Sequence, residues 1–141
     1  MDNKENYAEN IIKDLSILKS NKLNSNESII YFSGIIYSII LNKKMFKKNE
    51  ELKEFIYDVF LNPMGMKQYK EYLYKNRTLL GSRVSRHILD KFNYTDTIKL
   101  SKIISKYIKE KYDLDNNTKI TKNYKNKKLA DALSVWIKNE K

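Results

Sequence analysis

The chain has 141 residues, of which 32% are charged and none is cysteine. It therefore has room for one domain, and it excludes a disulfide framework, a thiolate zinc site and a thiol nucleophile. An aromatic content of 12% argues against disorder, and a net charge of +11 favours a polyanionic partner. We expect a single helical domain over residues 1–141.

The beginning of the sequence leads us to expect no signal peptide. Its first ten residues, MDNKENYAEN, contain no basic stretch that leads into an apolar one. Its longest apolar stretch, residues 29–41, is shorter than the roughly 20 residues that span a bilayer. We therefore expect a cytosolic protein that makes no membrane contact.

Apolar residues recur at helical spacing throughout the chain, and three glycines with one proline leave little material for turns. This pattern predicts an all-α fold, a compact bundle of about six helices. The helices are expected over residues 3–19, 27–42, 49–60, 66–76, 82–92, 95–111 and 127–139, with the fourth and fifth either separate or continuous. The second, apolar nearly all round, is the expected central helix. Its expected cap is Ser25 or Asn26, and the caps expected for the third and sixth helices are Asn49 and Thr95.

The excess positive charge is confined to one part of the chain. Residues 1–60 contain nine lysines and nine acids, which cancel, whereas residues 61–141 contain 19 basic residues and eight acids, which gives the whole +11. A bias toward lysine codons explains a high lysine count but not this segregation. We interpret the charge-balanced half and the basic half as surfaces with different roles.

Four lysines share one edge of the helix expected over residues 95–111. At 100° per residue Lys99, Lys102, Lys106 and Lys109 fall within an arc of about 80°, on the side away from the apolar residues. Like charges at this spacing repel by a few tenths of a kcal/mol each, and no acid lies among them. A phosphate backbone would offset the repulsion. The alternative is an ordinary solvated face.

All three arginines of the chain, Arg77, Arg83 and Arg86, lie within ten positions. A planar guanidinium offers paired donors to a phosphate, and Gly81 and Ser82 place the expected start of a helix beside these side chains. We therefore predict that the arginines hold a fixed phosphate while the lysines supply a diffuse field. The alternative is an Arg86–Asp90 ion pair in solvent.

Tyrosine and lysine alternate in two stretches, MKQYKEYLYKNR and KITKNYKNKK. Exposed tyrosines among cations are typical of a groove in which single-stranded bases stack. Tyr72, Tyr74 and Tyr124 are the candidates, whereas Tyr69 is expected to pack inward. The cations expected to bind nucleic acid in the second stretch are Lys122, Lys125, Lys127 and Lys128.

Motifs for catalysis and for cofactors are not found. The sequence has no glycine-rich phosphate loop, and the calcium-loop-like start at Asp113 has Thr118 and Tyr124 where glycine and glutamate are needed. His87 has no second histidine or cysteine with which to bind a metal, so it is expected to be a satisfied imidazole that is either at the surface or partly buried. We expect a protein without enzymatic activity, cofactor or metal.

Two resemblances bear on function. GSRVSRHILDKF resembles the recognition-helix stretch of helix-turn-helix regulators, in which a glycine turn precedes a segment of the type S-R-x-x-V-S-R-H-L. This resemblance implies that Arg83, Ser85 and Arg86 face base edges. The whole chain resembles the small helical subunits of CRISPR Cascade-type effector complexes in its size, its core led by ESIIYFSGIIYSIILNKK, the following ELKEFIYDVF helix and a basic flank.

The second resemblance implies a non-catalytic subunit of an antiviral ribonucleoprotein that lies along the crRNA-bearing backbone and helps to hold the target or displaced strand. The balanced half would then contact protein partners and the basic half phosphates. Binding of DNA or RNA through phosphates is our leading prediction. The alternatives are a helix-turn-helix transcription regulator and an interaction or inhibitor protein that binds an acidic protein.

Overall fold

The computed structural model describes residues 4–114, which contain no β-strand. The described residues form six α-helices and one π-helical turn. These are α1 (Lys4–Ile17), α2 (Ser25–Leu41), α3 (Asn49–Ile56), the π-helical turn (Tyr57–Leu61), α4 (Glu71–Tyr74), α5 (Arg77–Lys91) and α6 (Tyr94–Lys111). The predicted all-α bundle of about six helices is confirmed.

The chain divides into two compact units, Met1–Tyr107 and Ile108–Lys141. Only residues 108–114 of the second unit belong to the described part, so the helix predicted over residues 127–139 lies outside it. A single domain over residues 1–141 therefore stays a prediction. The site described below lies within the first unit.

The central helix is α2, because its apolar residues surround most of its circumference. Phe32, Ile36 and Ile40 are buried, and α2 packs against both α1 and α5. It begins at a reciprocal cap one residue before the expected position: Asn24 Oδ1 accepts from Glu27 N at 2.8 Å, and Glu27 Oε1 accepts from Asn24 N at 3.0 Å. Asn24 caps the helix because it lies three residues before a glutamate that returns the bond.

α5 runs without interruption through Gly81, so the break that we considered between residues 77 and 82 is absent. Gly81 is buried, and a Cβ at this position would lie 2.6 Å from Tyr37 Cδ1 on α2. The glycine therefore allows α2 and α5 to approach closely and does not form a turn. The glycine turn implied by the helix-turn-helix resemblance is not present.

The segment between the π-helical turn and α5 departs most from prediction. The helix expected over residues 66–76 is reduced to Glu71–Tyr74, and the chain turns before it at Gly65, whose φ is 69°. Tyr74 is fully buried, and its hydroxyl donates to Gln68 Oε1 in the preceding non-helical stretch. Here tertiary contacts outweigh local helix propensity.

Candidate nucleic-acid interface

α6 positions the lysines that the sequence analysis selected. The helix begins at a second reciprocal cap, in which Asn93 Oδ1 accepts from Asp96 N at 2.8 Å and Asp96 Oδ2 accepts from Asn93 N at 3.1 Å. Asn93, and not Thr95, is therefore the cap. Leu100 and Ile104 are fully buried on the inner face. Burial of this face fixes the rotation of the helix and directs the opposite edge to solvent.

Three exposed lysines, Lys99, Lys102 and Lys106, occupy that edge within the first unit, and we call them the α6 lysine row. Lys99 Nζ donates to the carbonyl oxygen of Pro63 at 3.2 Å, which holds one end of the row against the turn after the π-helical segment. Among residues 4–114, Lys53 Nζ forms an ion pair with Glu71 Oε1 at 2.7 Å, and none of the three lysines of the row forms one. The row therefore has no carboxylate partner within the described chain.

Lys109 lies one turn further along α6, in the second unit, and is half-buried. It differs in exposure from the three lysines of the row, although the sequence predicted four equivalent positions. We therefore describe it apart from the row.

Carboxylates of α3 and the π-helical turn face another side of α6. Tyr107 packs edge-on against Phe55, with ring centroids 5.1 Å apart. Burial, together with the nearby carboxylates of Glu54, Asp58 and Glu51, raises the pKa of Tyr107 to about 12. The positive potential of α6 is therefore concentrated along the edge that carries the lysine row, and a polyanion would follow this edge.

A cleft of about 290 Å³ opens beside the lysine row. It is lined by Tyr94, Thr95, Ile98, Lys99 and Lys102. Tyr94 is 37% exposed, and its hydroxyl donates to the carbonyl oxygen of Leu18 at 3.2 Å. Sequence reasoning missed Tyr94 and Ile98. The two residues are four positions apart and lie next to the lysines on the α6 helix, which the sequence could have indicated. That a cleft forms there depends on the packing of Tyr94 on the end of α1, which the sequence does not show.

Arg77 lies inside the protein. It is 7% exposed, and its guanidinium donates to Phe46 O at 2.5 Å, to Asn49 Oδ1 at 3.3 Å and to Ile40 O at 3.4 Å. Burial lowers the pKa of Arg77. The prediction that Arg77 binds nucleic acid is wrong, because α5 begins five residues earlier than expected and turns this side chain toward the end of α2. Asn49, which was expected to cap α3, is the first residue of that helix, and its side chain accepts a hydrogen bond from Arg77.

Arg83 and Arg86 are exposed but have different surroundings. Arg83 lies near Tyr69, whose pKa is raised by burial and lowered to a smaller extent by the guanidinium. Arg86 lines a cleft of about 600 Å³ with Tyr37, Ser82, Ser85, Leu89 and Asp90. No Arg86–Asp90 ion pair forms within 4.0 Å among the described residues. Because Arg77 is internal, the three arginines do not form the predicted phosphate clamp.

The tyrosines chosen as stacking candidates also separate. Tyr72 is exposed, but Tyr74 is fully buried, so the prediction for Tyr74 is wrong. Tyr69 is half-buried and its ring centroid is 6.5 Å from that of Tyr74, which agrees with the expected inward packing. The remaining candidates lie outside residues 4–114: Lys122, Tyr124, Lys125, Lys127 and Lys128.

His87 packs among aromatic rings. Its ring lies edge-on to Phe60 at 5.6 Å and to Phe92 at 6.0 Å between centroids, and burial lowers its pKa, with a smaller effect of Lys91. Within the described range, no group of three or more histidine, aspartate or glutamate side chains is placed to hold a metal ion. Nor does any helix in residues 4–114 have both the length and the apolar character that a membrane span requires.

Comparisons with protein-family models, with curated proteins and with solved structures find no match to this chain. The all-α fold and the cationic edge of α6 are therefore the observations from which a function is inferred.

Proposed function

We propose that this protein is a cytosolic, non-catalytic nucleic-acid-binding protein that contacts phosphate backbones through the α6 lysine row. The observation that carries the proposal is the presence of three exposed ammonium groups on one helix edge, none paired with a carboxylate of the described chain. Isolated surface lysines are common, but an unrelieved row is unfavourable in the absence of an anion.

The dimensions of the row suit a phosphate backbone. Lys99 and Lys106 are seven residues apart, which corresponds to about 10 Å along the helix axis. One strand of B-form DNA carries a charge about every 3.4 Å along its axis, so the row spans about three phosphates. Lysine contacts of this kind fix position on the backbone without reading base sequence.

We further propose that the protein acts as a subunit of a larger ribonucleoprotein, as its resemblance to small helical CRISPR subunits implies. Protein partners would bind the charge-balanced half. Support comes from α2, where Ile30 is 61% exposed and Leu41 is 40% exposed, although most of this helix forms the core.

The test compares two triple variants that lose the same charge. One replaces Lys99, Lys102 and Lys106 with glutamine, and the other replaces the exposed Lys43, Lys44 and Lys47. Fluorescence anisotropy with DNA and RNA of varied sequence, measured at several salt concentrations, gives the salt dependence of affinity. We expect the first variant to lower affinity evenly across sequences and to flatten the slope on duplex DNA by about 2.7, which is about 0.9 for each ammonium group removed.

Equal effects of the two variants would contradict the proposal, since affinity would then follow net charge alone. Absence of binding to any nucleic acid at physiological salt would also contradict it, and would favour the alternative in which the basic face meets an acidic protein.

A further inference from the structure

The cleft beside the lysine row is lined by both apolar and cationic side chains. Tyr94 and Ile98 supply aromatic and aliphatic surface, Lys99 and Lys102 border it, and no acid is among its lining residues. Its volume of about 290 Å³ is just below that of small-molecule sites, which begin at about 300 Å³. The space therefore suits one ring system.

The Tyr94 ring is held in place before any ligand arrives. Its hydroxyl donates to the Leu18 carbonyl at 3.2 Å, and its backbone belongs to the first turn of α6. A ring fixed at both ends loses little conformational entropy when another ring stacks on it. More than a third of its surface is nevertheless exposed. The site thus offers a fixed aromatic surface beside two ammonium groups.

We propose that this cleft receives one unpaired nucleobase, which stacks on Tyr94 while Lys99 and Lys102 contact the phosphates on either side of that nucleotide. The inference rests on the proposed function and restricts its ligand to single-stranded nucleic acid. A base inside a duplex is already stacked and would have to leave its partner to enter the cleft. The α6 lysine row therefore serves single strands in preference to duplexes. Apolar surface for a base and cations for its phosphates are together the requirements of single-strand binding.

The experiment uses the full chain and three probes of equal length, about twelve nucleotides: a single strand with bases, a single strand that is abasic throughout, and a duplex. Tyr94→Leu keeps apolar bulk but removes the aromatic face, whereas Tyr94→Phe keeps the face and removes the bond to Leu18. We expect the base-bearing strand to bind the wild-type protein about tenfold more tightly than the abasic strand. Tyr94→Leu should abolish this preference without changing affinity for the abasic strand or the duplex, and Tyr94→Phe should retain it.

A measurement without substitutions keeps the inference testable if Tyr94→Leu does not fold. Photocrosslinking of the wild-type protein to a strand that contains 5-iodouracil should give an adduct on the peptide that holds Tyr94. An adduct confined to other peptides would overturn the inference.

The two levels of the proposal fail differently. If the lysine-row variant weakens binding to all three probes but Tyr94→Leu binds the base-bearing and abasic strands as the wild type does, the base site is wrong and the backbone-binding function stands. If the wild-type protein binds none of the probes, both are wrong. If the wild-type protein binds an acidic peptide but no single strand, the cleft belongs to a protein partner and the base site is wrong.

Discussion

α5 and α6 are amphipathic helices of similar length in the basic half of the chain, yet they place their cations differently. On α5, Arg77 is internal, Arg83 lies near a tyrosine and Arg86 borders a separate cleft. On α6, the row of Lys99, Lys102 and Lys106 remains together on one exposed edge. α6 therefore exposes three cations together, whereas α5 exposes Arg83 and Arg86 but buries Arg77.

The difference arises from what each helix packs against. α5 packs on α2, and Arg77 in the first turn of α5 donates to the backbone carbonyl of Ile40 near the end of α2 and to that of Phe46 beyond it. A long guanidinium with five donors satisfies such carbonyls well. α6 has its buried residues on one face, so the opposite edge stays in solvent. Clustering in sequence is thus a weaker guide to a binding surface than position relative to the buried face.

The largest expected effect is on stability and distinguishes Arg77 from the other arginines. Arg77→Ala removes a guanidinium that bonds to three acceptors, and we expect the free energy of unfolding to fall by about 3 kcal/mol. Urea unfolding followed by circular dichroism measures the change as a lower midpoint. Arg83→Ala, at an exposed position, is the control and should change stability by less than about 0.5 kcal/mol. Equal midpoints for the two variants would show that Arg77 is not a structural residue.

The second prediction compares α5 with α6 directly by removing two charges from each. Lys102→Gln with Lys106→Gln should flatten the salt dependence of single-strand binding by about 1.4, which is about 0.7 for each ammonium group removed. Arg83→Gln with Arg86→Gln should leave the slope unchanged, because these side chains lie on α5, outside the α6 lysine row. The comparison between the helices breaks down if the arginine pair flattens the slope as much as the lysine pair.

The third prediction concerns why α5 lies so close to α2. A Cβ at Gly81 would meet the Tyr37 ring, whereas a Cβ at Gly34 would meet nothing within 4 Å. We expect Gly81→Ala to destabilise the protein by about 1 kcal/mol, and Gly34→Ala to stabilise it by about 0.5–1 kcal/mol through helix propensity. In a Tyr37→Ala background Gly81→Ala should become stabilising. Thermal and urea unfolding measure the stability of the three single variants and of the double variant. Additive effects of Tyr37→Ala and Gly81→Ala would refute the steric explanation.

The smallest expected effect is a pH dependence from His87, also on α5. Burial and, to a smaller extent, Lys91 lower the pKa of His87 in the folded protein below its ordinary value, and Asp90 offsets a part of this decrease. As pH falls through the unfolded value of about 6.5, the unfolded chain takes up a proton more readily, so the free energy of unfolding decreases. His87→Gln should reduce this decrease between about pH 7.5 and pH 5.5 in urea titrations. Identical pH dependence of the two proteins would contradict the lowered pKa.

Periodicity predicted the fold class and the lysine row well. Apolar spacing set the bounds of α1 and α2 to within about two residues. The exposed edge of α6 was predictable because a helix with one apolar face has only one way to bury it. Both results depend on interactions that are local in sequence.

The arginines, Tyr74 and the base cleft could not be predicted in the same way. The environment of Arg77 depends on carbonyls 31 and 37 residues away in sequence, and the position of Tyr94 depends on Leu18, which is 76 residues away. The stretch MKQYKEYLYKNR has a helical pattern, but only Glu71–Tyr74 is helical, and the Tyr74 hydroxyl donates to Gln68 in the non-helical part. Local patterns carry no information about such partners.

The amino-acid sequence by itself determined that this protein is helical, that its later half is positively charged and that one edge of α6 carries lysines, since these properties follow from composition and from a period of 3.6 residues. Only the tertiary structure decided which cations reach solvent, where α2 and α5 meet and where a cleft opens beside the lysines. The physical reason is that burial and hydrogen bonding are settled between segments distant along the chain, where a side chain of the same type can be either a solvated charge or part of the core.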